Sequence, residues 1–270
     1  MKHATFRFYE ELNDHLPPER RKRDFAHAFS GAPAVKDVIE ALGVPHTEVE
    51  LILVNGESVD FTRPLADGDR VSVYPVFEGV DVTPLLRVRE RPLRQTRFVL
   101  DGHLGRLATS LRMLGFDTAW LNDAHDAELA RVSSEEHRIL LTRDRGLLKR
   151  SIVTHGYWVR ETRPRLQVAE VVRRFDLFGR VAPFSRCLRC NTPLAEVAKE
   201  AVLDRLPPRV RESRDRFKSC PGCGGLFWEG THHQHMRRFI DELLKAERPA
   251  GRAPATDDVA PVDTGRDEGP

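Results

Sequence analysis

The sequence predicts three successive units: a small α+β domain, an α/β domain built on a mainly parallel sheet, and a C-terminal metal-binding ribbon. Three observations predict them. Alternating strand signals in the first third are broken by one short helix and by an Asn55-Gly56 turn pair; from residue 97 strand and helix signals alternate; and all four cysteines fall in two CxxC pairs beyond residue 181. At 270 residues the chain also exceeds the roughly 100–200 residues of one ordinary domain.

In the first unit, residues 4–9 alternate around Phe6 and Phe8, and a polar stretch with Pro17, Pro18 and the basic run 20–23 interrupts them. Residues 35–42 read as a short amphipathic helix stopped by Gly43. Strand signals over 48–54 and 57–61 flank Asn55-Gly56, a pair that accepts the positive φ angles of a two-residue hairpin. After Asp67-Gly68-Asp69, Val71, Val73 and Pro75 mark a last strand over 70–77. Strand, helix and three strands in that order predict a β-grasp domain over residues 1–80, with an acidic surface. Pro84, Pro92 and the RVRERPLR run predict a linker over 81–95.

The second unit, 96–180, opens with a buried strand at 98–100, and Leu104, Leu107, Leu111 and Leu114 then line one helix face up to Gly115. Strands follow at 116–121, 138–141 and 157–159, with helices at 126–133, 146–151 and 167–175. Repeated βα units imply parallel strands covered by helices on both faces. The ribbon is expected over 181–245, and residues 246–270, poor in large apolar side chains, are expected to be a disordered tail.

Apolar residues make up 40% of the chain, but no run approaches the roughly 20 needed to span a bilayer. The charged N-terminus has no signal-peptide core, so the expected compartment is the cytoplasm, with no membrane contact. Charge is segregated. Residues 1–90 carry 11 basic against 16 acidic side chains, whereas 91–180 carry 17 against 11 and 181–248 carry 13 against 9. A basic middle and C-terminal half suits a polyanionic partner.

Cys187 and Cys190 are separated from Cys220 and Cys223 by 29 residues. Two CxxC knuckles present four thiolates tetrahedrally, as a structural Zn²⁺ requires, and four cysteines leave no open position for a substrate. The long spacing predicts an inserted helix or loop around residues 195–211. His232, His233 and His235 read as exposed loop histidines. In the α/β unit Asp101, Asp123 and Asp144 each follow a predicted strand, 22 and 21 residues apart, where such a sheet gathers ligands. Each alone reads as a helix N-cap; three together predict a Mg²⁺ or Mn²⁺ site, with Asp126 a fourth candidate. Arg106, Arg143 and Arg145 lie close enough to bind flanking phosphates. GxGxxG, GxxxxGK[ST] and GxSxG are absent, which removes dinucleotide, P-loop and nucleophile-elbow chemistry. Metal-dependent phosphodiester hydrolysis remains. The rival expectation is a non-catalytic module that binds RNA or a ribonucleoprotein.

The runs FVLDGHLGRLATSLRMLGFDT, LNDAHDAELA, RILLTRDRGLL, FSRCLRCN and CPGCGGLFWEGTH resemble the Mut-seven C-terminal ribonuclease domain family, a PIN-like nuclease fold joined to a zinc ribbon. PHTEVELILVNGESVDF and DGDRVSVYPVFE resemble the ubiquitin-like β-grasp domain that often precedes it. The resemblance spans residues 4–245 and implies ribonuclease activity on RNA, with Asp101, Asp123 and Asp144 at the family's acidic positions. Thr231 stands where the family's WxGSH motif has serine. The first domain is also similar to sulfur carriers, which need a free diglycine end; here the chain runs on through residues 77–80. An accessory role with an unnamed protein partner is expected instead.

Overall fold

A computed structural model describes residues 1–75, 86–88 and 96–246. The expected linker, apart from 86–88, and the expected tail beyond 246 lie outside the described residues.

The N-terminal domain is a five-stranded sheet with one helix on it. Strands β1 (Lys2–Phe8), β2 (Phe25–Phe29), β3 (Leu51–Val54), β4 (Glu57–Val59) and β5 (Arg70–Tyr74) run in the order β2-β1-β5-β3-β4. The central pair β1 and β5 is parallel and the outer pairings are antiparallel. Helix α1 (Val35–Ala41) buries Val35, Val38 and Ile39 against Phe6, Phe8, Ile52 and Val73. The β3–β4 turn has Asn55 and Gly56 at φ 54° and 89°, as the expected hairpin requires. Strand β2 was not expected. Phe25, His27 and Phe29 do alternate with Ala26 and Ala28, but on a half-exposed edge directly after the basic run. Its pairing with β1 supplies the stability that the local sequence lacks.

The second domain holds four parallel strands, β6 (Arg97–Leu100), β7 (Asp117–Trp120), β8 (Ile139–Thr142) and β9 (Gly156–Trp158), in the order β7-β6-β8-β9. Alternation divides the side chains between two layers. Phe98, Leu100 and Leu141 pack with helices α2 (Gly105–Met113) and α5 (Pro164–Arg174). Val99 and Leu140 face α3 (Asp126–Glu135) and α4 (Arg145–Leu148). The chain leaves β6 for β7 on one side and then crosses to β8 on the other, so β6 and β8 flank a topological switch point. Ligand crevices in such sheets open there, at the carboxyl ends of the strands.

The ribbon is a three-stranded antiparallel sheet of β10 (Ala195–Val197), β11 (Phe217–Ser219) and β12 (Leu226–Trp228). The expected insertion contains a 3-10 segment, Lys199–Arg205, and the short helix α6 (Pro208–Ser213). The following segment corrects the loop expectation for the histidines: Thr231–Ala246 is a helix, α7, with His232, His233 and His235 in its first two turns. Met236, Phe239, Ile240, Leu243 and Leu244 form its apolar stripe, which packs back onto the core of the α/β domain.

The N-terminal domain docks on β9. Glu48 is fully buried and accepts three hydrogen bonds: Oε1 from the Trp158 amide (2.7 Å), Oε2 from Arg160 Nη2 (3.0 Å) and from His15 Nε2 (2.9 Å). His46 Nε2 reaches the Val153 carbonyl at 2.8 Å and Lys149 donates to the Glu40 carbonyl at 2.6 Å.

Candidate functional site

Asp101 follows β6 directly and is 8% exposed. Its Oδ2 accepts from the Thr142 hydroxyl (2.5 Å) and its Oδ1 from the His103 amide (3.0 Å), capping the turn that leads into α2. Thr142, the last residue of β8 and itself buried, also accepts from the Asp144 amide at 2.9 Å. One hydroxyl thus ties the ends of the two strands at the switch point. Asp144 caps α4 by accepting from the Gly146 amide at 2.7 Å, and its side chain is exposed. The cap reading therefore holds for Asp101 and Asp144, and it fixes carboxylates at the crevice.

Asp123 lies three residues beyond β7 and is exposed, next to Asn122, whose amide donates to its Oδ1 at 3.1 Å. Gly102 explains how that loop reaches the first: a Cβ there would stand 2.3 Å from the Asn122 carbonyl oxygen. Any larger residue would push the two loops apart. Gly105 leaves room in the same way for the Trp120 ring, whose Nε1 donates to the Gly102 carbonyl at 3.3 Å. Asp126 is the exposed first residue of α3. Three neighbouring strands thus end in carboxylates along one sheet edge. Among the described residues the four cysteine sulfurs all lie within 4.8 Å of one another, whereas the three carboxylates do not all come that close. An all-oxygen set of one buried and two exposed carboxylates suits a hard divalent cation.

Of the three arginines, Arg143 donates to the carbonyls of Glu161 (2.5 Å) and Arg160 (3.4 Å), and Arg145 stacks 5.1 Å above the Trp158 ring. Arg106 is exposed on the first turn of α2.

The four cysteines form one cluster. Cys187 and Cys223 sulfurs are 3.6 Å apart and Cys190 and Cys220 sulfurs 3.3 Å. Thiolates about 2.3 Å from one tetrahedral ion would be separated by about 3.8 Å, so the set fits a single metal. Burial pushes the Cys187 thiol up to about 12, while hydrogen bonding with Thr192 brings Cys190 down to about 6. Both knuckle turns use a left-handed residue, Asn191 (φ 69°) and Gly224 (φ 70°). Asn191 also fastens the first knuckle to the parallel sheet, accepting from the Thr118 amide (2.9 Å) and donating to Asp117 (2.8 Å). Buried Arg112 donates to the Leu188 (3.1 Å) and Arg189 (2.7 Å) carbonyls. Burial raises the Asp117 carboxyl, but Arg138 and Asn191 more than offset this and hold it below its ordinary value. Thr142, Asn191 and Arg112 lie inside the quoted runs, but nothing in those runs marks their roles, because each acts on a partner distant in sequence or on backbone.

Residues 96–240 match the Mut7-C RNAse domain, and residues 1–81 match the Mut7-C ubiquitin domain. The chain belongs to the Mut7-C RNAse domain family. The matched Mut7-C span runs from β6 into α7 and so contains both the acidic edge and the cysteine cluster. The human exonuclease mut-7 homolog is 29% identical over 172 residues, which are 62% of this chain and 17% of the human protein. The chain therefore spans about a sixth of the length of that Mut7-C relative. Two crystal structures of small archaeal modifier protein 1 from Haloferax volcanii also align, at 19% and 18% identity. They cover 28% and 29% of this chain and 98% and 99% of theirs, with TM-scores of 0.23 and 0.24.

Proposed function

We propose that the protein is a divalent-metal-dependent ribonuclease of the cytoplasm, cutting RNA at the edge that carries Asp101, Asp123 and Asp144. The observation that supports this most is the pair of strand ends at the switch point, where buried Asp101 and exposed Asp144 share the Thr142 hydroxyl in a chain of a ribonuclease family. Asp101, Asp123 and Asp144, with Asp126 beside them, would hold Mg²⁺ or Mn²⁺. When bound, such an ion lowers the pKa of water and neutralises charge building on the scissile phosphate. The protein's own share is orientation: the Thr142 hydroxyl and His103 amide fix Asp101, and the α4 cap fixes Asp144. Labelled single-stranded and structured RNA should be cut with Mg²⁺ or Mn²⁺ and left whole without a divalent cation. RNA that stays whole under every metal condition, yet is bound, would favour the binding-module reading.

In this reading Arg106, Arg143 and Arg145 take phosphates on either side of the cut. Replacing all three by alanine should flatten the dependence of RNA affinity on salt by about one phosphate contact each. Titrations over a range of salt test this, and an unchanged slope would reduce the arginines to surface partners.

The cysteine cluster is assigned one structural Zn²⁺. Metal analysis of protein purified under reducing conditions should find one zinc per chain. Chelation should raise amide exchange across 187–223 while the parallel sheet stays protected, because the binding energy of such an ion is largely folding energy. The ubiquitin-like domain is assigned an accessory role that includes a protein partner.

A further inference from the structure

Away from the acidic edge, a cleft of about 880 Å³ opens between the ribbon and α7. Its floor is one face of the ribbon sheet, where Glu196, Lys218 and Phe227 form a cross-strand row, Lys218 pairing with both neighbours. The facing wall carries Phe184 and His233, their rings 4.0 Å apart, with the Arg237 guanidinium 5.7 Å over Phe184. Lys218 bridges the two sides by donating to the Phe184 carbonyl at 3.1 Å.

Phe184 has φ 56°, in the left-handed region that bulky side chains rarely adopt. Such a conformation is strained and persists only where its surroundings enforce it. Here the Phe184 amide donates to the Met113 carbonyl (3.0 Å) while Lys218 holds its carbonyl, so the ring is fixed as part of the cleft wall. Burial, with Arg237 and Lys218 nearby, lowers the His233 imidazole below its ordinary value, which suits an uncharged stacking face.

Charge in the cleft is nearly balanced. Arg186 is turned to Asp117 (3.6 Å) and Asp215 to Lys199 (3.0 Å), which leaves Arg216, Lys218 and Arg237 beside Glu196 and Glu229. Half-buried aromatic faces with a slight excess of cations suit nucleobases better than a run of phosphates. Base stacking on aromatic side chains tolerates any sequence, and it requires unpaired bases, because a duplex keeps its base faces inside.

We propose that this cleft stacks the bases of single-stranded RNA and so sets the enzyme's preference for unpaired substrate, an inference that rests on the ribonuclease reading above. The test uses full-length Asp101→Asn protein with a labelled single-stranded oligonucleotide and the matching duplex. Phe227→Leu in that background should weaken single-strand binding about tenfold, as expected for losing one stacked base, with duplex binding and the salt slope unchanged. Phe227→Trp should restore it. Zinc content is measured in each variant, and an Arg237→Ala variant gives an independent reading should Phe227→Leu fail to fold. Photo-crosslinking of the single strand should mark peptides from 217–237. Equal losses for single strand and duplex, or unchanged single-strand affinity in both cleft variants, would overturn the proposal while leaving the ribonuclease reading standing. If Asp101→Asn protein binds no RNA and the native protein cuts none, both readings fall together.

Discussion

Replacing Asp101 by asparagine is expected to lower the cleavage rate by about 10²–10³-fold or more while RNA binding stays intact or tightens. That range is what removing one preorganised electrostatic group typically costs. Asparagine keeps the shape, and its one oxygen can still accept from the His103 amide; its NH2 then meets the Thr142 oxygen as a donor, so the charge and one acceptor are lost while the turn keeps its cap. With divalent cations left out of the binding assay, removing a negative charge cannot weaken attraction to phosphate. Thr142→Val should act through the same residue. It leaves the Asp101 carboxylate and the Asp144 amide without their shared partner, so a roughly 10–100-fold loss is expected, as for other residues that orient metal ligands. Single-turnover cleavage read beside filter binding separates the two effects. Asp101→Asn protein that cuts at the native rate would remove this edge from the chemistry.

The second large effect is expected far from that edge. Glu48→Ala should cost about 3 kcal/mol, the low end of the range for removing one partner of a buried ion pair, because Arg160 loses its buried partner but keeps Asp14 at 2.8 Å. Burial alone would raise the Glu48 carboxyl. The hydrogen bond and charge of His15, the Arg160 guanidinium and the Trp158 amide outweigh it and hold the group below its ordinary value. A carboxyl depressed in the folded state stabilises the protein above its unfolded pKa. That stabilisation is lost as pH falls through the folded value. The gap between native and Glu48→Ala proteins should thus be full near neutrality and shrink as pH drops below about 4. Urea titrations across that range test it, and a pH-independent gap would mean that lost packing, not charge, is responsible.

Much of the fold is legible because its elements announce themselves locally. The Leu104, Leu107, Leu111 and Leu114 spacing, the Asn55-Gly56 turn and the CxxC pairs each reflect contacts within a few residues. Helix α7 is equally legible from Met236, Phe239, Ile240 and Leu243, which keep helical spacing, although the polar histidine run at its start masks where it begins. Strand β2 was less so, because five residues of phenylalanine, histidine and alanine make a strand only beside β1. In the acidic edge, the aspartates could be found by counting from strand ends. Thr142 could not: its partner lies 41 residues away, and threonine at a strand end is ordinary. Glu48 was hidden for the same reason, since Trp158 and Arg160 stand 110 and 112 residues on.

The parallel sheet has two outer strands, β7 and β9, and each offers amides that point away from the sheet. On β7 the Thr118 amide is taken by Asn191 of the cysteine knuckle; on β9 the Trp158 amide is taken by Glu48 of the ubiquitin-like domain. Unpaired strand edges are templates for joining another chain, and proteins commonly blunt or cover them. Each of the two flanking modules thus closes one border of the parallel sheet with a side chain in place of a further strand. Opening the cysteine knuckle, or cutting away the first domain, would bare one of those borders, and the first failure should be clumping.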